Sequence, residues 1–239
     1  MNITFARRVV IVAGGTGGLG VSISLAFLNE GATVIVPYLK EEAFEALKRL
    51  AGVKEPSLEG RYVDVSDEAS TTDFINAVGK RYETIDILVN TIGGYAGGVK
   101  LWYLKTSTLD QMLSLNLRSG FVLSRAVLPT MLRAGSGAIV NVAAKAAVDH
   151  ASGAAAYAAS KAAAVALMDS LAADTKGAGV RVNSVLPSII DTPANRLAMP
   201  EADLAVWPKP QDIAQVILFL ASDAAKTIHG ASVPVYGNA

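Results

Sequence analysis

Cysteine is absent from the 239 residues, which removes disulfides, thiolate nucleophiles and cysteine-ligated zinc together. Histidine is scarce. His150 and His229 are too few to build a histidine metal site, so no metal is expected. Net charge is absent as well: Lys plus Arg and Asp plus Glu number 21 each. Without a basic excess to neutralise a phosphate backbone, nucleic acid is not an expected partner. No uncharged apolar run reaches membrane-spanning length. The longest candidate, residues 151–173, is mostly alanine and holds Lys161 and Asp169. Arg7 and Arg8 before an apolar run imitate a secretory signal, but the run is short and passes straight into glycines. The expectation is a cytoplasmic protein without membrane contact. Apolar residues still make up 51% of the chain, enough for a substantial core, which excludes a disordered scaffold.

Short β-rich runs alternate with longer segments of helical period. Strands are expected at 9–13, 33–36, 60–65, 85–90, 138–142, 180–186 and 231–235. Helices are expected near 18–30, 41–50, 68–81, 109–133, 155–175 and 211–222. The strand runs are continuously apolar, as parallel strands covered on both faces are. This alternation predicts an α/β, Rossmann-type, doubly wound parallel sheet of seven strands, with residues 1–239 as a single domain. Residues 188–209 carry Pro and Trp207 without a clear period and read as a binding loop or lid.

The first strand runs into Gly14-Gly-Thr-Gly-Gly-Leu-Gly20, which fits both Gly15-x-Gly17-x-x-Gly20 and Gly14-x3-Gly18-x-Gly20. Glycines there let the backbone turn tightly and approach a pyrophosphate, while the next helix offers free N–H groups and its positive end. A merely tight turn would look similar, but the position between strand and helix favours a dinucleotide-binding turn; a phosphate-binding hydrolase loop is excluded because no Lys-Ser or Lys-Thr follows Gly20. A second motif is Tyr157-Ala-Ala-Ser-Lys161, whose i, i+4 spacing puts a phenol and an ammonium on one helical face. A free tyrosine titrates near pH 10, and an adjacent cation favours its phenolate, which suits acid–base work. Taken alone, the pair reads equally well as a core aromatic beside a surface lysine.

The glycine turn, Asn90-Thr-Ile-Gly93, Asn116, Tyr157-x3-Lys161 and Pro187-Ser-Ile-Ile-Asp-Thr192 stand in one order and at one spacing. Together they resemble the short-chain dehydrogenase/reductase family over essentially the whole chain. The resemblance implies that Tyr157 is the proton donor, that Lys161 holds the cofactor ribose and tunes Tyr157, and that Asn116 supports a proton-relay water. It implies a cofactor site of Gly14, Gly15, Thr16, Gly18, Leu19, Gly20, Asp64, Val65, Asn90, Gly93, Pro187, Ile190 and Thr192. It also implies a homodimer or homotetramer packed through the helices around 109–133 and 155–175.

The chain departs from that family at one position of consequence. A serine normally stands thirteen residues before the tyrosine, and here that residue is Ala144, which cannot donate a hydrogen bond to a reacting oxygen. Segments 93–98, 143–149 and 191–203 with Trp207 are similar to the dihydropteridine reductase branch, which also lacks the serine. That likeness implies an easily reduced, pterin-like substrate. An ordinary carbonyl or alcohol, such as a 3-oxoacyl group or small ketone, stands equally open, as does cofactor binding with little catalysis. Ala144, Lys145, Tyr95 and Trp207 are the expected substrate contacts, the two aromatics by stacking on a flat molecule. An NAD site needs a carboxylate at the end of the second strand, where this sequence has Tyr38 with Lys40 close by. NADP(H) is therefore favoured over NAD(H), although Glu41 and Glu42 begin the next helix and no basic residue lies in the glycine turn.

Overall fold

The computed structural model describes residues 3–238. Its seven strands are β1 (Val9–Ala13), β2 (Thr33–Tyr38), β3 (Leu58–Tyr62), β4 (Ile87–Asn90), β5 (Gly137–Val142), β6 (Val180–Pro187) and β7 (Ser232–Val235). They form one sheet in the order β3-β2-β1-β4-β5-β6-β7, with every pair parallel. The α/β, doubly wound, seven-stranded fold expected from the alternation is therefore present. Helices α1 (Gly20–Asn29), α2 (Glu41–Ala51), α3 (Glu68–Tyr82), α4 (Thr106–Leu113), α5 (Ser119–Ala134), α6 (Ala155–Asp174), α7 (Pro193–Ala198) and α8 (Pro210–Ala221) complete the order.

The inner strands are buried on both faces, which explains their unbroken Val-Ile runs. Val10, Val12, Val34 and Val36 point into one apolar layer with Ile23 and Phe27 of α1 and Ile213 and Ile217 of α8. Ile11, Ile35, Leu88 and Ile139 point into the other with Leu123 and Val127 of α5 and Met168 of α6. Burying such side chains contributes about 1.5–3 kcal/mol each before chain entropy is counted. The strand order reverses between β1 and β4, whose last residues, Ala13 and Asn90, stand side by side in register. In open parallel sheets the crevice above that reversal is where ligands bind.

Several boundaries differ from expectation for identifiable reasons. The third strand covers Leu58–Tyr62 rather than 60–65, because it is an edge strand whose register is set by β2, with Tyr62 opposite Tyr38. Its polar face (Glu59 and Arg61) hides it from an apolar-run criterion. The chain then leaves the sheet at Asp64, whose carboxylate takes the Ser66 amide and hydroxyl at 2.9 and 2.7 Å. The helix expected at 109–133 begins earlier and is interrupted by a π-helical turn, Ser114–Arg118, which inserts one extra residue per turn. Helix α1 starts at Gly20 rather than residue 18, since Gly14 to Gly17 are used in turn bonds. The irregular segment 188–209 contains α7 and a 3-10 turn, Leu204–Val206. No helix among the described residues is long and apolar enough to cross a membrane.

Candidate active site

The glycine turn sits at the C-terminal end of β1, against the strand-end segment that follows β4. Gly14 has φ +79, and a Cβ there would lie 2.5 Å from Thr91 Oγ1, so glycine serves both the turn and the close approach. A side chain on Gly20 would overlap the Gly14 carbonyl. The Gly15 amide donates to the Val12 carbonyl at 3.1 Å and the Gly17 amide to Gly14 at 2.9 Å. Among the described residues, the amides of Thr16, Gly18 and Leu19 have no protein acceptor. They lie at the N-terminal end of α1, where free N–H groups and the helix dipole favour a phosphate. The cradle therefore fits a dinucleotide. Thr192, 8% exposed, packs its methyl against Gly18 and caps α7 through the Asn195 amide. The loop carrying Ile190 and Thr192 thus closes over the glycine turn.

Next to the cradle, Gly93, Asn116 and Lys161 converge. A Cβ on Gly93 would lie 2.8 Å from Asn116 Oδ1 and 3.0 Å from Lys161 Nζ, so only a glycine lets these groups meet. The π turn directs Asn116 inward, where it clamps the loop after β4. Its Oδ1 accepts from the Gly94 amide at 2.9 Å, and its Nδ2 donates to the Gly94 carbonyl at 3.1 Å and to Ser160 Oγ at 2.9 Å. Ser160 Oγ in turn donates to the Tyr157 carbonyl at 2.8 Å. Lys161 is 6% exposed and donates to the Val142 carbonyl at 3.1 Å. Burial draws its pKa down from 10.5 to about 8.

Tyr157 lies one helical turn before Lys161, and its hydroxyl has no protein partner among the described residues. Burial pushes its pKa up to about 12, with the neighbouring Tyr95 adding to the rise. Desolvation sets this direction, with Lys161 not among its causes, the reverse of what the i, i+4 spacing suggests. Tyr157 is therefore a phenol at neutral pH. Ala144 follows β5 in extended backbone and is buried. The serines nearby make other contacts: Ser152 accepts from Lys100 at 2.6 Å, and Ser160 accepts from Asn116 and donates to the Tyr157 carbonyl.

Other expected residues take different places. Asn90 is buried and braces the sheet at the strand end, donating to Asn141 Oδ1 at 3.0 Å and accepting from the Ile92 amide at 3.2 Å. Trp207 is 7% exposed and anchors the returning loop, so it offers no open face for stacking. Lys145 reaches Asp149 at 3.6 Å and lies over the Tyr236 ring at 5.2 Å. Pro187 ends β6 in the interior, and Val65 is buried just past the exposed Asp64. Tyr38 stacks on Phe44 at 4.9 Å, with Lys40 exposed at the start of α2. Tyr95 is half-free, its ring against Tyr157. Thr91 and Ser160, which stand inside the sequence motifs without being singled out by them, and the Val142 carbonyl, which carries no sequence signal, are structural members of the site.

Residues 8–202 match the family described as short chain dehydrogenase. The chain is 36% identical to D-threitol dehydrogenase of Mycolicibacterium smegmatis, across 96% of this chain and 92% of the relative. It is 32% identical to meso-2,3-butanediol dehydrogenase of Serratia marcescens, across 98% and 95%. Among solved structures it is similar to levodione reductase, with a TM-score of 0.90 and 28% identity over 98% of this chain and 97% of that one.

Proposed function

The chain belongs to the short-chain dehydrogenase family and is an oxidoreductase working with a nicotinamide cofactor; from that premise we propose that it interconverts a small organic carbonyl and its alcohol, with Tyr157 as the acid–base group. The observation that carries this reading is the convergence of Lys161, Asn116 and Gly93 beside the glycine cradle at the strand-order reversal, with Tyr157 one helical turn before Lys161. A bound nicotinamide supplies the hydride to the carbonyl carbon in reduction and accepts it in oxidation. Tyr157 gives its hydroxyl proton to the carbonyl oxygen as the alcohol forms, and takes it back in the reverse direction. Lys161, still a cation at neutral pH, stabilises the phenolate left on Tyr157. Asn116 holds Gly94 and, through it, the wall of the site. The glycine turn, Thr192, Ile190 and Lys161 would hold the cofactor, with Asp64 and Val65 beside its adenine.

We further propose NADP(H) as the preferred cofactor. The end of β2 carries Tyr38 stacked on Phe44 rather than a carboxylate, and Lys40 next to it is exposed and without an ion pair among the described residues. A second copy of this chain is proposed to cover the groove between α4, α5 and α6 lined by Leu113, Leu117, Phe121 and Leu167, giving a homodimer or homotetramer. Sedimentation equilibrium of the wild type and Phe121→Glu reads that state directly.

A pterin-like ring is the second reading, favoured by Ala144, since an activated conjugated system does not require a hydroxyl donor. The deciding assay is steady-state kinetics with NADPH and NADH on quinonoid dihydropterin and on a panel of carbonyls. Turnover of carbonyls supports the main reading, turnover of the pterin alone supports the second, and absence of nicotinamide binding overturns both.

A further inference from the structure

Tyr95 and Tyr157 meet edge to face, with ring centroids 4.9 Å apart and an interplanar angle of 76°. Tyr95 is 70% exposed, so most of its ring stays open next to Tyr157. An exposed aromatic on a Gly-rich loop would ordinarily move freely. Here the loop is tied on both sides of the ring. Asn116 grips Gly94 through both its amide and its carbonyl. Beyond the ring, the Val99 amide donates to the Gly153 carbonyl at 3.3 Å, and Lys100 Nζ donates to Ser152 Oγ at 2.6 Å. Gly97 leaves room for the Tyr95 hydroxyl, which a Cβ there would overlap. The ring is thus held by residues 94–100 against the segment that leads into Tyr157.

Lys145 turns to Asp149 and Tyr236, Lys161 to the Val142 carbonyl, Lys100 to Ser152, and Arg196 to Asp191. The neighbouring strand-end segments also leave apolar side chains exposed: Val148 after β5, and Ile189 and Leu197 after β6. A flat apolar group on the substrate would find an aromatic face at Tyr95. Ala144 agrees with this, because a carbonyl conjugated to a ring or a second carbonyl is already activated.

We propose that Tyr95 is the specificity-determining wall of the site and that the substrate carries a planar conjugated group next to the reacting carbonyl. This deepens the carbonyl reading above and rests on it. The test compares two ketones reduced with NADPH: methyl benzoylformate and the small 2,3-butanedione. The wild type is expected to prefer the ester over butanedione by at least about tenfold in kcat/KM. Tyr95→Ala should raise KM for the ester about tenfold or more, and for butanedione by clearly less. Tyr95→Phe, which keeps the ring, should recover most of the ester preference. Equal losses on ester and butanedione, or an ester preference that survives Tyr95→Ala, overturn the assignment of Tyr95. Saturation-transfer NMR on the cofactor-loaded protein reads the same contact without turnover: transfer to the phenyl protons in the wild type but not in Tyr95→Ala supports it, and equal or absent transfer in both overturns it. Failure to bind any nicotinamide instead defeats the oxidoreductase reading itself, which separates the two outcomes.

Discussion

Lys161 donates from Nζ to the Val142 carbonyl at 3.1 Å, so the only charged group of the acid–base cluster hangs from the last residue of β5. This holds the ammonium in the interior, where burial draws its pKa from 10.5 to about 8. Between those values the unfolded lysine keeps its proton and the folded one does not. The unfolded state binds more protons there, so stability rises with pH across the window, and the buried cation exacts its full cost below about pH 8. That cost is about 3 kcal/mol, partly offset by about 1 kcal/mol from the bond to Val142.

Lys161→Met should therefore be more stable than the wild type at pH 7, with Tm raised by about 4–8 °C, while turnover is lost. The gain should shrink as pH rises from 8 towards 10.5. Thermal melts of both proteins at several pH values check this. A lower Tm for the variant at pH 7 would show that the lysine is stabilising and that its bond to Val142 outweighs desolvation.

Tyr157→Phe should lower turnover by about a hundredfold or more while nicotinamide binding persists, because the hydroxyl has no structural partner to lose. The packing with Tyr95 is a ring contact and survives the change. Since burial raises the Tyr157 pKa to about 12, reduction should not decline through loss of the Tyr157 proton until well above pH 10. Turnover within a few-fold of wild type would remove Tyr157 from the acid–base role.

Much of this site was legible because its residues announce themselves locally. The glycine turn follows a run of five buried residues, and Tyr157 and Lys161 share one helix face. Boundaries were less legible where tertiary contacts decide them. β3 reads Leu-Glu-Gly-Arg-Tyr and carries no apolar signal, because it is an edge strand placed by its pairing to β2. The π turn at Ser114–Arg118 is invisible in periodicity, yet it aims Asn116 at Gly94, 22 residues away in sequence. Trp207 looked like a stacking plate, since composition cannot tell a loop anchor from an open ring. Lys145 lies four residues before Asp149, and that helical spacing already hinted at the ion pair that turns it aside.

Cofactor choice should depend on Lys40. NADPH is expected to bind more tightly than NADH, and Lys40→Ala should weaken NADPH by about five- to tenfold with little effect on NADH, as loss of one phosphate contact does. Fluorescence titration with both cofactors measures it. Tighter NADH binding that Lys40→Ala leaves untouched would refute the preference and point to Glu41 or Glu42 at the start of α2 as the ribose acceptor.

Ala144 separates the substrate classes most sharply. An unactivated ketone needs a donor for the negative charge that develops on its oxygen, and loss of one such donor typically costs about 3–4 kcal/mol of transition-state stabilisation. If this protein acts on such ketones, Ala144→Ser should raise their turnover about tenfold or more. A conjugated, activated substrate places less charge on that oxygen, and an added hydroxyl would then put a polar group against a flat ring in a buried position. Ser160 already donates its hydroxyl proton to the Tyr157 carbonyl, so it does not mask the result. We expect Ala144→Ser to be neutral or mildly harmful on activated carbonyls and quinonoid dihydropterin. The measurement is kcat/KM of both proteins on cyclohexanone, methyl benzoylformate and the dihydropterin. A large gain on cyclohexanone, with no wild-type activity on the other two, would assign the enzyme to ordinary carbonyl reduction and make Ala144 a handicap rather than an adaptation.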